Sequence, residues 1–476
     1  MVAASRLSNP LQFDVFNVDA RTGFMPFKPP IGRLEGIWET WEQLLEDARH
    51  RHLQPGDKLG ISPRERQCSE EWRAQVRQLP LLSIDALAHS AVLLRRAHLV
   101  LTFLMHFYIH TLPPDVLVVI PRPISIPMLQ VAKVLDLPPV ITFSDTVLYN
   151  WHSQAASDTA SPNPHGLQSQ TTFTDLPDEE AFYLSSARIE LRGAEALRIM
   201  QSSMEEIIVG DEVAIERLTS YLLQLRVIIN DLKILLLDVR KGCDPDIYYN
   251  DVRPWFRGED SDSYVEFGQK RRWVFEGAGE YTDLNMLPDD RELSGASAGQ
   301  SSMIHALDVF LGVNHEQPNT PSFMKRMQRY MPHHHRCFLD HLSKNPRPLR
   351  DFVVSSSSTK ESGGGERLKE AYNQAVMALK EFRDAHMIIA ALYIIGPARR
   401  AADQARSLDN PLAEGKSNEL EHNDSTINWT QPLNSDDRAL TGTGGTNLVQ
   451  FLKGVRSRTF DTLLADEEVL YASNTH

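Results

Sequence analysis

Residues 368–395 read LKEAYNQAVMALKEFRDAHMIIAALYII. Leu368, Tyr372, Ala375, Leu379, Phe382, His386, Ile389 and Tyr393 recur at steps of four and three, the repeat that puts side chains on one face of an α-helix. The spacing predicts one long helix with an apolar stripe turned to a core, and a single imidazole in the middle of that stripe. A histidine there has two physical accounts. It is a core residue whose ring nitrogens are satisfied by the backbone, or it is a neutral axial ligand presented from an apolar wall to a flat apolar cofactor. Periodicity does not choose between them.

Helical spacing recurs along much of the chain before this segment. LEGIWETWEQLLEDARHRHL (34–53) and SIDALAHSAVLLRRAHLVLTFLMHFYIH (83–110) read as helices separated by the turn-rich QPGDKLGISPRE. DEEAFYLSSARIELRGAEALRIMQSSMEEII starts with acids in its first turn, and AIERLTSYLLQLRVIINDLKILLLDVRKG ends in basic residues and Gly242, both charge patterns that suit the helix dipole. Strand signals are scarce, so the expected class is all-α. HSQAASDTASPNPHGLQSQTT (152–172) is poor in apolar residues and reads as a linker. The expected organisation is a small helical domain (1–151), that linker, and a large helical domain (173–476) with a mobile insertion at about 402–441.

Composition narrows the function. A chain of 476 residues with 42% hydrophobic residues buries a large core, and a net charge of −14 disfavours nucleic acid and anionic membrane surfaces, which call for clustered Lys and Arg. Cys68, Cys243 and Cys337 are far apart and lack C-x-x-C spacing, which points away from a disulfide framework and towards a reducing, cytoplasmic setting. The N-terminal segment lacks the pattern of a signal peptide, and the run LVLTFLMHFYIH is shorter than the ~20 residues of a membrane span.

Single motifs are ambiguous one by one. His106 and His110 stand at i and i+4, a metal-capable spacing, yet no third ligand accompanies them, so packing is expected. His333, His334 and His335 are adjacent and diverge on a helix. TGTGGTNLVQFLKGVRSRTF (441–460) is a glycine-rich entry to a helix without the Gly-Lys-Ser of a P-loop; it is an anion or ligand loop, or simply a flexible entry. Arg253, in YYNDVRPWFRG, either packs its stem on aromatics or forks a carboxylate. Ser186 shares a helical face with Phe182, Ile189 and Gly193; small groups there admit either a neighbouring helix or a ligand. No G-x-S-x-G elbow suggests a hydrolase.

Taken in order, RPISIPMLQVAKVLDLPPVITFSDTVLYNW, SGASAGQSSMIHALDVFLGV, MQRYMPHHHRCFLDHLSKNPRPLRDFV, the His386 segment and GTGGTNLVQFLKGVRS resemble the indoleamine 2,3-dioxygenase family. The likeness covers about residues 120 to 460. It implies a haem b enzyme that inserts both atoms of O2 across the indole C2–C3 bond of L-tryptophan or a related indoleamine to give N-formylkynurenine, and a monomer is expected. The same resemblance assigns His386 as proximal iron ligand, Arg253 as the substrate-carboxylate partner and Ser186 as the distal serine. It places Phe143, Thr146, Val147, Phe182 and Tyr183 in the distal pocket with Tyr248 and Tyr249, sets Ser297 and Ala298 beside the cofactor, and makes Asp308 and Arg383 a proximal charged pair. Gly444, Gly445 and Thr446 fall in the loop that closes over the amino-acid end.

Tyr248 and Tyr249 stand where familiar members carry phenylalanines, Tyr183 replaces another, and Phe143 replaces a tyrosine. Added phenols in an apolar pocket alter oxygen contacts or indole seating, because a buried hydroxyl needs a partner. A second expectation follows: a haem-binding member with weak or altered turnover that serves as a sensor or signalling protein.

Overall fold

The computed structural model describes residues 13–153, 162–261, 271–280, 293–316, 321–345, 347–358, 363–401 and 448–465. Helices α1 (Glu39–His50), α2 (Pro63–Gln78), α3 (Ala91–His110) and α4 (Arg122–Leu135) come first. Ser62 and Glu65 close the start of α2 reciprocally, each side chain taking the other's backbone N–H, with Pro63 in the first turn where no N–H is missed. The long pair α5 (Pro177–Val209) and α6 (Glu212–Leu237) turns at Gly210, whose φ of +68° suits a residue without a Cβ, and Asp211 caps α6. One-turn α7 (Pro245–Ile247), then α8 (Ser302–Leu311), short α9 (Phe323–Met327), α10 (His333–Ser343) and α11 (Leu349–Ser357) follow. Helix α12 (Gly364–Ala390) carries the stripe that opened the sequence and lies along α6, and α13 (Leu448–Phe460) packs on it.

The all-α expectation holds. The described strands are three residues each: β1 (Val118–Ile120) pairs in parallel with β4 (Trp273–Phe275), and β2 (Trp151–Ser153) pairs antiparallel with β3 (Leu167–Ser169). The second pair lies in the segment read as a linker. Its polar composition hid a β-pair that Asn150 fixes, accepting from Thr171 N–H at 2.9 Å and donating to its carbonyl at 2.8 Å. The 402–441 insertion and Gly444, Gly445 and Thr446 lie outside the described residues.

One core surrounds α3 and runs from Leu34, Trp41 and Trp72 through Phe103 and Phe107 to Phe173, Trp255, Ile389 and Tyr393. A second joins α5, α6, α8, α10, α11 and α12. The apolar run read as too short for a membrane span belongs to the 20-residue α3, which has the length and hydropathy of a span and is mostly buried inside the protein. Its histidines pack as expected. His106 donates to the Trp255 carbonyl at 2.8 Å and accepts from Ile141 N–H at 3.2 Å, and His110 bonds the Arg257 carbonyl at 3.0 Å. His333 binds Asp136 while His335 meets Ser302, on different sides of α10. Among the described residues no group of three or more His, Cys, Asp or Glu is placed to hold a metal ion.

Two close approaches set the site. Gly193 of α5 lies under Met303 of α8: a Cβ there would stand 2.6 Å from the Met303 Cε and 2.8 Å from its Cγ. Gly295 lies against the Phe256 carbonyl, 1.8 Å from where its Cβ would be, and Gly258 faces Leu293 in the same way at 2.2 Å. Glycine is what lets the 293–299 segment lie on the turn after Arg253.

Candidate functional site

Between α5, α12 and α13 lies an open cavity. Its wall is mostly hydrocarbon and aromatic. Helix α5 supplies Phe182, Tyr183, Ser186, Ile189 and Glu190; α12 supplies Phe382, Arg383, His386, Ile389 and Ala390; α13 supplies Leu448, Phe451, Leu452 and Val455. Three single π-turns complete it: Ser144–Leu148 brings Thr146 and Val147 behind Phe143, Tyr248–Val252 brings Tyr248, and Ala391–Ile395 brings Tyr393 and Ile394. A π-turn adds a residue to the helical repeat and re-aims the side chains after it, a distortion that clusters at functional sites.

His386 is the polar group of α12's buried stripe. The imidazole lines the cavity, has no hydrogen-bond partner among the described residues, and keeps part of its surface open there. Burial, with help from the Arg383 charge, pulls its pKa down to about 4, so the ring is neutral at pH 7 with its lone pair available. The account of a core histidine satisfied by backbone does not describe this ring. A neutral, unpaired imidazole in a largely apolar wall has the chemistry to hold the iron of a haem.

Arg383, one turn earlier, is bound to Asp308 of α8 and to Thr459 of α13, and Asp308 also accepts from His315 at 2.8 Å. Burial alone raises the Asp308 carboxyl, but Arg383 and His315 outweigh it and hold it below its usual value. Ser297 caps a short turn by accepting from Gly299 N–H at 3.2 Å, which leaves Ala298 at the cavity wall. Ser186 lines the cavity and has no hydrogen-bond partner among the described residues.

The structure therefore gathers Phe143, Thr146, Val147, Phe182, Tyr183, Ser186, Tyr248, Ser297, Ala298, Arg383 and His386 around one space. Arg253, Tyr249 and Asp308 do not line it. Asp308 stands behind Arg383. Arg253 begins the turn Arg253–Phe256 with its guanidinium 5.4 Å from the centroid of Tyr249, and burial lowers its pKa. The Tyr183 phenol is turned to Glu179, at 2.7 Å, so this substitution adds no free donor to the pocket.

Glu190 was missed by the sequence reading. It sits one turn after Ser186 on the same face, fully buried, and accepts from Ser301 at 2.6 Å with one oxygen while Oε2 has no partner. Burial, partly offset by Ser301, raises its pKa to about 7. The available signal was its i+4 spacing from Ser186.

The arrangement is that of an all-helical protein folded around a largely apolar cavity, with a helix-borne neutral histidine at its wall. The comparisons then give its kin. The family model described as indoleamine 2,3-dioxygenase matches residues 12–462. Indoleamine 2,3-dioxygenase 2 of Mus musculus is 31% identical over 465 residues, 96% of this chain and 97% of the relative. Indoleamine 2,3-dioxygenase of Saccharomyces cerevisiae is 29% identical, with 92% of this chain and 91% of the relative covered. A 6-hydroxytryptophan 2,3-dioxygenase of Fusarium equiseti is 28% identical, covering 94% and 97%. The chain belongs to the indoleamine 2,3-dioxygenase family.

Proposed function

We propose that this protein is a haem dioxygenase that opens the indole ring of L-tryptophan or a related indoleamine between C2 and C3, giving N-formylkynurenine. The observation that carries the reading is His386: a neutral ring without a partner among the described residues, at the wall of a largely apolar cavity between three helices. His386 would hold haem b, which supplies the redox chemistry that activates O2. The hydrocarbon wall on both sides suits a flat macrocycle, and Arg383, itself held by Asp308 and Thr459, steadies the α12 turn that presents the imidazole.

The chain's own work is positioning. Phe182, Phe143 and Val147 form an apolar slot for an indole, and Ser186 offers a small hydroxyl on the α5 side. Arg253 supplies the cation for the substrate carboxylate from beside the pocket wall, where a fork of donors fixes how the ring falls. The apolar lining excludes water from the reacting carbons. A reducing cytoplasmic setting is supported by three free cysteines.

The test is reduction of haem-supplied protein without oxygen, then addition of O2 and L-tryptophan, with product identified by mass. N-formylkynurenine carrying two ¹⁸O atoms from ¹⁸O2 is expected. A haem spectrum with no indole product from tryptophan, its hydroxylated forms or tryptamine would overturn the assignment.

A further inference from the structure

Among the described residues the buried tyrosines find hydrogen-bond partners inside the protein, with one exception. Tyr183 donates to Glu179 at 2.7 Å, Tyr372 to the Leu311 carbonyl at 2.6 Å and Tyr393 to the Cys243 carbonyl at 2.6 Å, while Tyr330 accepts from Ser294 N–H at 2.9 Å. Tyr248 is 6% exposed and lines the cavity, its ring 4.4 Å from Phe182 and 5.7 Å from Tyr393 between centroids. Its hydroxyl makes no hydrogen bond among the described residues, and it is not one of the unpaired groups sealed inside protein. The space it meets is the cavity. A phenol in apolar surroundings is left short of a hydrogen bond unless the occupant supplies it.

Its position says which part of an occupant that is. Tyr248 opens the π-turn Tyr248–Val252, and Arg253 starts the next turn. Tyr248 is buried against Phe182 and Phe256, whereas Tyr249 and Arg253 are half-buried, so the phenol stands where the hydrocarbon wall gives way to a cationic end. Burial keeps the phenol protonated, with the Arg253 charge opposing it less strongly. A protonated phenol beside a guanidinium is a donor suited to an anion. An ammonium would be repelled there. A carboxylate leaving water has about four acceptor sites, and a forked guanidinium fills two of them, which leaves room for a further donor.

We propose that the Tyr248 hydroxyl donates a hydrogen bond to the carboxylate of the bound substrate, alongside Arg253, and makes the site favour indole amino acids over decarboxylated indoleamines. This rests on the reading of the cavity as an indole site. It assigns the phenol a role that phenylalanine cannot fill.

The experiment compares the haem-loaded protein with Tyr248→Phe, both checked for the same haem spectrum and melting temperature. Dissociation constants are measured by spectral titration for L-tryptophan, a ring-hydroxylated tryptophan and tryptamine, with KM and kcat for L-tryptophan. A donor to a charged acceptor leads us to expect the preference for L-tryptophan over tryptamine to fall about tenfold, in Kd and KM with kcat largely kept. An unchanged preference overturns the proposal, as does a loss confined to kcat. A loss seen only with ring-hydroxylated tryptophans overturns it too, because the phenol then faces the ring. Failure of the parent protein to bind or convert any of these indoles would instead strike the proposed function.

Discussion

At the scale of single residues, two buried titratable groups at the cavity wall carry opposite expectations. His386 has no bond to lose inside the protein, so His386→Ala should leave the fold nearly unchanged and abolish the Soret band of haem-supplied protein. A variant with the normal band would refute the ligand assignment. Glu190 is a liability for the fold. Its carboxyl titrates at about 7 against the usual 4.5, so the native state retains a proton that the unfolded chain has released. Its contribution therefore becomes less favourable as pH rises from about 4.5 to about 7, and changes no further above that. Glu190→Gln keeps an acceptor for Ser301 and does not titrate. Its stability relative to the parent should rise across this window by on the order of 3 kcal/mol, at ~1.4 kcal/mol per pK unit. Urea midpoints at pH 5 and pH 8 measure this; an equal difference at both would show that burial does not perturb the carboxyl. The stripe made His386 visible in the sequence because a helix repeats. Glu190 is marked only by its i+4 spacing from Ser186, and its shift comes from burial in the folded chain.

At the scale of elements, the site depends on places where regular structure gives way. The three π-turns each deliver cavity residues, yet no propensity distinguishes DTVL or YYND from a helix end or a loop. Their extra residue is imposed by packing. The glycines are more legible. In SGASAGQSS, Gly295 permits contact with the Phe256 carbonyl at a distance no side chain tolerates. Gly295→Ala should displace the Ala296–Gly299 wall and lower stability by about 1–3 kcal/mol, the usual cost of overpacking, with impaired haem uptake. Denaturant midpoints and haem titration check this, and a variant equal to the parent in both would mean that the segment shifts freely. The small face of α5, open in sequence to a helix or a ligand, meets both: it admits Met303 of α8 at Gly193, and one and two turns earlier, at Glu190 and Ser186, it borders the cavity.

At the scale of the whole molecule, the proximal side is tied together by charge in the interior. Arg383 of α12, Asp308 of α8 and Thr459 of α13 meet in one buried cluster. Asp308→Asn leaves Arg383 without its counter-charge and should cost about 3–5 kcal/mol, while adding Arg383→Met should recover a good part of the loss. Equal stability of the single and double variants would show that the two groups are not energetically coupled. The α3 core crosses the 152–172 segment, joining Leu34 and Trp72 to Trp255 and Tyr393. Calorimetry of the haem-free protein should accordingly give one dominant unfolding transition; two well-separated peaks would show that the helical units melt independently.

The sequence by itself determined the helical class, the long helix that bears His386 and most of the residues that meet at the cavity. These follow from a period of 3.6 residues and from segment-long likeness to a family, both of which are written along the chain. Tertiary structure alone decided that the imidazole lacks a partner, that Tyr183 is turned to Glu179 while Tyr248 faces the cavity, that Glu190 holds a proton near neutrality, and that Arg253 stands beside the wall. Each of these depends on which groups from distant segments come within hydrogen-bonding distance and how much water they exclude, and a one-dimensional pattern does not contain those distances.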